Sequence, residues 1–520
     1  MSVNRLKQIL LAFLLSIGII LTFVSSQTVR ADVESDQVLL VYDSSNEAEN
    51  AQVKIDALQR SLTSMNLWVK TVNQKDYQKN MLNQHYLGVI TMINWEQVGL
   101  HNQDFIKDRA KFSGIKLHIG NNLTDREISD LDVKVKRLYQ QQLLLTSEGN
   151  KKLLPFSQNV TLVSKASSTS DKVGTLKTQD NLTSYPFGFI NGESGYLPFF
   201  SASGLEMLTQ VQFLAKLFHR VGKYHPVLTF TNVSPYSNLD YLDELSDFCY
   251  QNQIPFAIST VSVSKNIEMK AFSRFTKVLR NVENRGGVIF LQMPEMVTTA
   301  DSNGEILEQM MRKYLVSLAK EQVFPVGISA KGFWNQDTIL RSHSLQFSDN
   351  WLLLPNESKP LHLQEDNDAQ VARQNLLALP AQSLNRLTKT QETTFSAPMA
   401  LTISMPNTKK SMQQAKSKIN NLDLSWYDPV ADNLQTRIET DTTVVEYRGG
   451  DYFVNGKREA IQATNKVFNK QFSDGKPKSS FSRYFRIQGD ILTVFFIIIM
   501  IIFIVFIFIG RRIYWNRFKR

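Results

Sequence analysis

Residues 226–296 carry a regular alternation of hydrophobic and polar positions. A short apolar run at 227–230 is followed by residues 239–249, where leucines and a cysteine recur at helical spacing and acidic residues occupy the other positions. Further apolar runs at 256–261 and 288–291 enclose a second helical pattern. Strand, helix, strand, helix and strand with short connections predict parallel βα units.

The sequence that follows extends this pattern into a barrel-sized domain over residues 216–425. A helical pattern at 304–320 and apolar runs at 324–330 and 397–405 predict a further helix and two further strands. The polar residues 356–395 are predicted to be mostly loop, with one helical stretch at 372–379. Together these elements predict a (β/α) barrel.

Residues 32–125 predict a separate α/β domain. An apolar run at 37–43 precedes a helical pattern, and further runs at 87–91 and 115–120 complete an alternation that is typical of a Rossmann-like domain. No nucleotide site is expected, because residues 42–46 lack the glycines that let a phosphate approach the backbone.

Two segments are predicted to be β-rich. Residues 126–215 form a connecting region in which short β-prone runs are separated by serine, threonine, glycine and asparagine. Residues 426–482 form a juxtamembrane segment of similar character, which ends in a polar linker.

Both ends of the chain are apolar and basic. Residues 1–31 read as a secretory signal peptide with a cleavage site after Ala31, and an uncleaved anchor is the alternative. Near the other end, residues 488–510 are predicted to form a transmembrane helix, since 491–509 carry no charge and would span roughly 28 Å. The basic tail 511–520 is predicted to be cytoplasmic, which places the ectodomain outside the cell membrane.

The formal net charge of +10 does not indicate a nucleic-acid partner. Three of the cations lie in residues 1–31, which hold no acidic residue, and five lie in 511–520. Without these eight charges, the rest of the chain is left with about +2. The single cysteine, Cys249, cannot form an intramolecular disulfide and is predicted to be a buried core residue.

Three short motifs accompany the barrel strands. They are Val233-Ser234-Pro235, Ile254-Pro255-Phe256 and Gly286-Gly287. In this order they resemble the polysaccharide deacetylase-like family catalogued as domain of unknown function 2334, a distant branch of the NodB-type carbohydrate esterases. The resemblance covers roughly residues 222–420 and implies a deacetylase-like (β/α) barrel.

The residues that would carry the family's chemistry differ in this chain. In the family, an acidic pair and two histidines hold a divalent metal and activate water. The matching positions here are Thr231, Asn232, Gln292 and Met296. Neutral amide and thioether groups are poor zinc ligands, so the resemblance implies a degenerate site with no metal, no cofactor and no catalytic residue.

Several residues near this site are candidate glycan contacts. In parallel barrels, chemistry gathers at the carboxyl ends of the strands, where Glu295, Phe333, Trp334 and His343 are expected to lie. An aromatic ring can stack on the apolar face of a sugar, although burial in the core is the alternative for Phe333 and Trp334. For His343, the alternative is a structural hydrogen-bonding role.

Family members with this layout resemble components of exopolysaccharide synthesis and export. By that analogy, we expect a membrane-anchored pseudo-deacetylase that binds polysaccharide or docks on a membrane glycosyltransferase or synthase complex. One alternative is an active deacetylase or glycoside hydrolase with a non-standard site, drawing on Asp240, Glu295 or Asp301 with His343. A purely structural surface protein is a further alternative.

Overall fold

The structure is a computed structural model, and it describes most of the chain between residues 36 and 518. The described residues are 36–43, 51–83, 85–95, 99–166, 170–178, 183–262, 267–294, 301–356, 366–385, 387, 389–390, 392–461 and 480–518. The predicted signal peptide lies outside these residues. They form two compact units, divided between Thr464 and Asn465.

Ten strands, nine of them from the first half of the chain, build one mixed sheet. Five run parallel to one another: β1 (Gln37–Tyr42), β2 (Trp68–Asn73), β3 (Gly88–Ile93), β4 (Ile115–Gly120) and β11 (Ser194–Leu197). The others pair antiparallel: β6 (Leu144–Ser147), β7 (Asn150–Leu153), β9 (Asp171–Lys177), β10 (Ser184–Asn191) and β17 (Asp368–Ala369). The order across the sheet is β17-β2-β1-β3-β4-β11-β10-β9-β6-β7.

This sheet runs across the domain boundary expected near residue 125. Because β11 lies beside β4, the β-rich connecting region continues the sheet that the α/β region begins. The described residues of 36–217 also form a two-stranded antiparallel sheet and four α-helices. These are β5 (Val133–Gln141), β8 (Ser157–Ala166), α1 (Ala51–Ser64), α2 (Gln103–Lys111), α3 (Asp125–Leu131) and α4 (Gly204–Leu217). The parallel part agrees with an α/β class, and the Rossmann-like assignment stays a prediction.

The second half of the chain forms a closed barrel of seven parallel strands. They are β12 (Val227–Val233), β13 (Phe256–Val261), β14 (Val288–Gln292), β15 (Gly327–Lys331), β16 (Asn350–Leu354), β18 (Gln374–Pro380) and β19 (Met399–Ser404). β19 closes the barrel by pairing with β12. The helices of this region are α5 (Leu239–Gln251), α6 (Lys270–Asn284), α7 (Asp301–Lys320), α8 (Thr338–Ser342) and α9 (Lys409–Asn420). The predicted parallel barrel is confirmed, and its deacetylase-like character remains a prediction.

Helix α1 packs against the barrel, although it precedes the barrel by more than 160 residues in the chain. The Arg60 guanidinium donates from Nη1 to the carbonyl oxygen of Ala378 in β18 at 3.1 Å. Just beyond the helix, Asn66 Oδ1 accepts a hydrogen bond from Asn375 Nδ2 at 2.9 Å. Most of α1 is therefore buried, including polar positions that a surface helix would expose to solvent.

The crossover between β16 and β18 connects the barrel to the sheet. Its short strand β17 pairs antiparallel with β2, at the edge of the ten-stranded sheet. The prediction of a helix at residues 372–379 is wrong, because residues 374–380 form the buried strand β18. Leucine and alanine favour a helix locally, but pairing with β16 and β19 decides the conformation here.

The carboxyl-terminal part begins with a four-stranded antiparallel sheet, as the predicted β-rich character of this segment implies. Its strands are β20 (Gln435–Glu439), β21 (Val444–Arg448), β22 (Asp451–Val454) and β23 (Lys457–Glu459). In the second unit, helix α10 (Ser480–Phe518) contains one apolar stretch, Leu492–Ile513, long enough to cross a membrane. The stretch overlaps the span predicted at 488–510 and is consistent with a single-pass membrane protein.

Candidate functional site

The carboxyl ends of the barrel strands bring the predicted site positions to one end of the barrel. Thr231 and Asn232 lie near the end of β12, and Gln292 ends β14. Met296 and Glu295 lie outside the described residues. The site can therefore be built from the barrel strands and the described turns after them.

The Gln292 side chain is held by a serine hydroxyl of β13, which in turn contacts a serine hydroxyl of β15. Its Oε1 accepts a hydrogen bond from Ser259 Oγ at 3.1 Å, and Ser259 Oγ lies 2.7 Å from Ser329 Oγ. Its backbone oxygen accepts from the Ser262 amide at 3.0 Å and from Ser262 Oγ at 2.8 Å. Only 8% of Gln292 is exposed, so the side chain is part of a buried and neutral network.

Thr231 and Asn232 differ in their environments. Thr231 is buried, and its carbonyl oxygen accepts from the Met405 amide at 2.9 Å. Asn232 is exposed and adopts a left-handed backbone with φ of 61°, where the pairing between β12 and β13 is irregular. Asparagine tolerates this conformation better than most residues, so Asn232 suits this irregular point near the end of β12.

Phe333 and Trp334 are buried in the core, which was the alternative to contact with a glycan. Both lie in a 3-10 helix at Gly332–Gln336 that follows β15 and contacts α1. Trp334 is 1% exposed and Phe333 is 9% exposed, so neither ring offers a free face to a sugar. The expectation that these two rings stack on a glycan is therefore not met in this conformation.

His343 caps the carboxyl end of α8 and takes the structural alternative. Its Nδ1 lies 2.9 Å from the Ile339 carbonyl oxygen and 3.0 Å from Ser342 Oγ. The imidazole also packs against Gly304 in α7, where an added Cβ would lie 2.9 Å from the ring. These contacts account for His343 as a helix-packing residue.

A buried carboxylate that the sequence pattern did not predict lies beside this end of the barrel. Asp56 in α1 accepts from Arg60 Nε at 2.9 Å and from the Asn356 amide at 3.4 Å. Its other oxygen approaches Gly332 so closely that a Cβ there would lie 2.2 Å from Oδ1. Burial raises the pKa of Asp56, and the Arg60 guanidinium opposes part of that rise. No local pattern signals this contact, because Asp56 is more than 270 residues from Gly332 in the chain.

The hydroxyl layer formed by Ser259 and Ser329 was also missed. Polar residues inside otherwise apolar strands were the available signal, since alternate residues of a barrel strand point to its interior. Both serines are fully buried. The layer explains why Gln292 can occupy the interior without leaving its amide oxygen unpaired.

The described residues at this end of the barrel do not fit a catalytic zinc ion. Zinc binds imidazole, thiolate or carboxylate, whereas the groups gathered around Gln292 are an amide and hydroxyls. Across the described part of the chain, no group of three or more histidine, cysteine, aspartate or glutamate side chains is arranged to hold a metal. Compared with known proteins, the chain matches no protein-family model and no curated protein sequence.

Proposed function

We propose that this chain is a membrane-anchored extracellular protein whose deacetylase-like barrel binds a polysaccharide without hydrolysing it. It would act as a glycan-binding or scaffold component of exopolysaccharide synthesis and export, beside a membrane synthase. The observation that carries this proposal is the network around Gln292, in which serine hydroxyls hold a neutral amide at the end of the barrel where such folds perform chemistry.

The positions of the described acidic and histidine side chains give little support to the alternative of an active hydrolase. That alternative needs two carboxylates held about 5 to 10 Å apart, or a carboxylate with a free histidine. Asp240 is exposed in the first turn of α5, and the Nδ1 atom of His343 faces a carbonyl oxygen of its own helix. Asp240 is therefore not held beside a second carboxylate among the described residues, and His343 Nδ1 is already engaged by its own helix.

The carboxyl-terminal helix supports the membrane-anchored part of the proposal. Its apolar stretch Leu492–Ile513 would span roughly 33 Å at 1.5 Å per residue, which suffices for the hydrocarbon core of a bilayer. Arg511, Arg512 and Arg517 lie at its carboxyl-terminal end. By the positive-inside rule this end faces the cytoplasm, and the barrel then lies outside the cell.

The experiment is a binding measurement on the full chain in lipid nanodiscs. We would titrate cellohexaose, chitohexaose, a galactan hexasaccharide and hexagalacturonate by calorimetry, once with excess EDTA and once with added zinc. At least one glycan should bind, with the same dissociation constant in both buffers. Release of acetate from chitohexaose only in the presence of zinc would support the deacetylase alternative instead, and no binding in either buffer would contradict the proposal.

A further inference from the structure

A cavity of about 550 Å³ lies at the opposite, amino-terminal end of the barrel. The first residues of the barrel strands form one wall, among them Val227, Val288 and Asn350. A second wall comes from the sheet region through Asp36, and a third from the segment before β20 through Tyr427. The volume falls within the roughly 300–1,000 Å³ that is usual for small-molecule sites.

One buried polar group in this cavity lacks a partner. Asn350 is 1% exposed, and its Nδ2 donates to the Val326 carbonyl oxygen at 3.0 Å. Its Oδ1 atom is buried without a hydrogen bond from any described group. Buried acceptors of this kind are nearly always paired in folded proteins, so the Asn350 oxygen is an unusual unpaired acceptor in a residue that lines the cavity.

Two arginines and one aspartate line the cavity, and each arginine lies near a carboxylate. Arg220 pairs with Asp36, and the Arg373 guanidinium lies 3.7 Å from the Asp349 carboxylate, which is adjacent to Asn350. The Nε atom of Arg220 is buried and has no hydrogen-bond partner among the described groups. The cavity therefore offers planar hydrogen-bonding groups and no large excess of either charge, which favours a ligand rich in hydroxyl groups over a strongly anionic one.

Aromatic and apolar groups complete the lining. Tyr427 and Tyr224 border the cavity, and Tyr427 is held by its amide hydrogen bond to the Pro226 carbonyl oxygen at 3.0 Å. Phe290 and Leu376 supply apolar surface from inside the barrel. A pyranose ring has hydroxyl groups around its edge and carbon-bound hydrogens on its faces, and it matches both kinds of surface.

We infer that this amino-terminal cavity is the glycan-binding site and takes a saccharide unit whose hydroxyl groups bond Asn350 and Arg220 beside Tyr427. The inference rests on the proposed function, since it names where the glycan binds. It also differs from the expectation for this fold class, which places ligands at the carboxyl ends of the strands. Those ends are occupied here by the Gln292 network and by buried aromatic rings.

Two variants test the site in the full chain in nanodiscs, with the same four hexasaccharides. Asn350→Leu removes the unpaired acceptor, and Tyr427→Ala removes the aromatic wall. Each should weaken the affinity for the bound glycan by about tenfold. Tyr236→Ala is the matched control, because Tyr236 is 87% exposed in the turn after β12 and does not line the cavity.

Hydrogen exchange of the unmodified protein gives a second readout that does not depend on how the variants fold. Bound glycan should slow exchange at residues 220–227 and 424–434, which surround the cavity, and leave residues 231–237 unchanged. If the glycan binds but both variants keep full affinity and protection appears at 231–237 instead, the cavity assignment is overturned while the proposed function stands. If no hexasaccharide binds the unmodified protein, both fail.

Discussion

Glu127 is a buried carboxylate whose partners are all positively charged or hydrogen-bond donors. Its Oε1 lies 2.8 Å from His118 Nδ1 and 3.0 Å from Arg109 Nη1, and its Oε2 accepts from the Thr124 amide at the start of α3. His118 Nε2 lies 2.9 Å from the Asn121 carbonyl oxygen, so both ring nitrogens lie against oxygen atoms. Burial alone would raise the pKa of Glu127, but these partners outweigh it and hold the pKa well below its usual range.

Glu283 is buried, and only one of its two carboxylate oxygens has a hydrogen-bond partner among the described residues. Its Oε1 accepts from the Phe324 amide at 2.8 Å, while Oε2 is buried without a partner in the described part of the protein. Burial raises the pKa of Glu283 well above its ordinary value, although the Phe324 hydrogen bond and Arg280 oppose the rise. The ionised form of Glu283 is therefore destabilising, whereas that of Glu127 is stabilising.

The same substitution should have opposite effects at these two residues. Glu127→Gln should lower the free energy of unfolding at neutral pH by about 3 kcal/mol, because it leaves His118 and Arg109 without their carboxylate. Glu283→Gln should raise it by about 1 kcal/mol, because it removes a charge that burial disfavours and keeps the acceptor for Phe324.

The contributions of Glu127 and Glu283 to stability should change with pH in different ways. Glu127 has a lowered folded pKa, so its contribution is complete above an unfolded pKa of about 4.3 and disappears as the pH falls below it. Glu283 has a raised folded pKa, so its penalty is absent at low pH and grows as the pH rises above about 4.3. Thermal unfolding from pH 3 to pH 8 measures both, and equal responses of the two variants would contradict this assignment.

Two Arg–Asp pairs with the same helical spacing should contribute differently to stability, because one is buried and the other is largely exposed. Arg60–Asp56 joins Nε and Oδ2 at 2.9 Å and is almost fully buried, whereas Arg126–Asp130 joins its atoms at 3.0 Å with Arg126 two-thirds exposed. Arg60→Met should cost about 3–5 kcal/mol in chemical denaturation, since it leaves the Asp56 carboxylate buried and unpaired. Arg126→Met is the control and should cost less than about 1 kcal/mol. Similar costs would show that Asp56 is protonated and needs no partner.

Close packing of α4 on the sheet depends on glycine. A Cβ on Gly188 in β10 would lie 2.4 Å from the ring of Phe213, which is fully buried in α4 and cannot move aside. Gly188→Ala should therefore cost about 1–3 kcal/mol of unfolding free energy. Gly99→Ala is the control, since its Cβ would meet no atom closer than 3.9 Å. An unchanged melting temperature for Gly188→Ala would show that α4 shifts to accommodate the methyl group.

The strands of the barrel were predictable where local pattern and tertiary environment agree. β14 and its neighbours are apolar runs buried on both faces, as expected for a parallel sheet covered by helices. β18 was not predictable, because a run of leucine and alanine has no strand signal of its own. The short β17 escaped notice for a similar reason, since two residues form a strand only beside β2.

Some features of the candidate sites could also be predicted from the sequence, and others could not. Gln292 and Asn232 could be placed at one end of the barrel, because parallel strands carry their carboxyl ends to the same edge. The network that holds Gln292, the burial of Trp334 and the amino-terminal cavity could not be foreseen. The cavity combines Asp36, Asn350 and Tyr427, which only the packing of three distant segments brings together.

At the scale of the molecule, the sheet and the barrel share one hydrophobic core. The same cluster of buried side chains includes Leu58 of α1, Leu117 of β4 and Leu377 of β18. With α1 packed on β18 and β17 paired with β2, neither part can unfold without exposing apolar surface of the other. This coupling also holds the walls of the amino-terminal cavity in place.

The membrane anchor is testable separately. Phe503 lies in the middle of the apolar stretch of α10 and is exposed in its unit. Phe503→Arg should cost about 2.5–3.5 kcal/mol of insertion free energy and shift part of the protein into the supernatant after alkaline carbonate extraction. Phe503→Leu should remain in the membrane pellet. Complete retention of the arginine variant would indicate that this helix is not the main anchor.

Zinc calorimetry on the full chain tests most directly the proposal that the barrel performs no metal chemistry. The neutral groups around Gln292 should give no stoichiometric zinc or cobalt binding at micromolar metal. The glycan affinity should then be the same before and after EDTA treatment. Tight binding of one zinc ion per chain, lost in a Gln292→Leu variant, would contradict the proposal and indicate an active metal site.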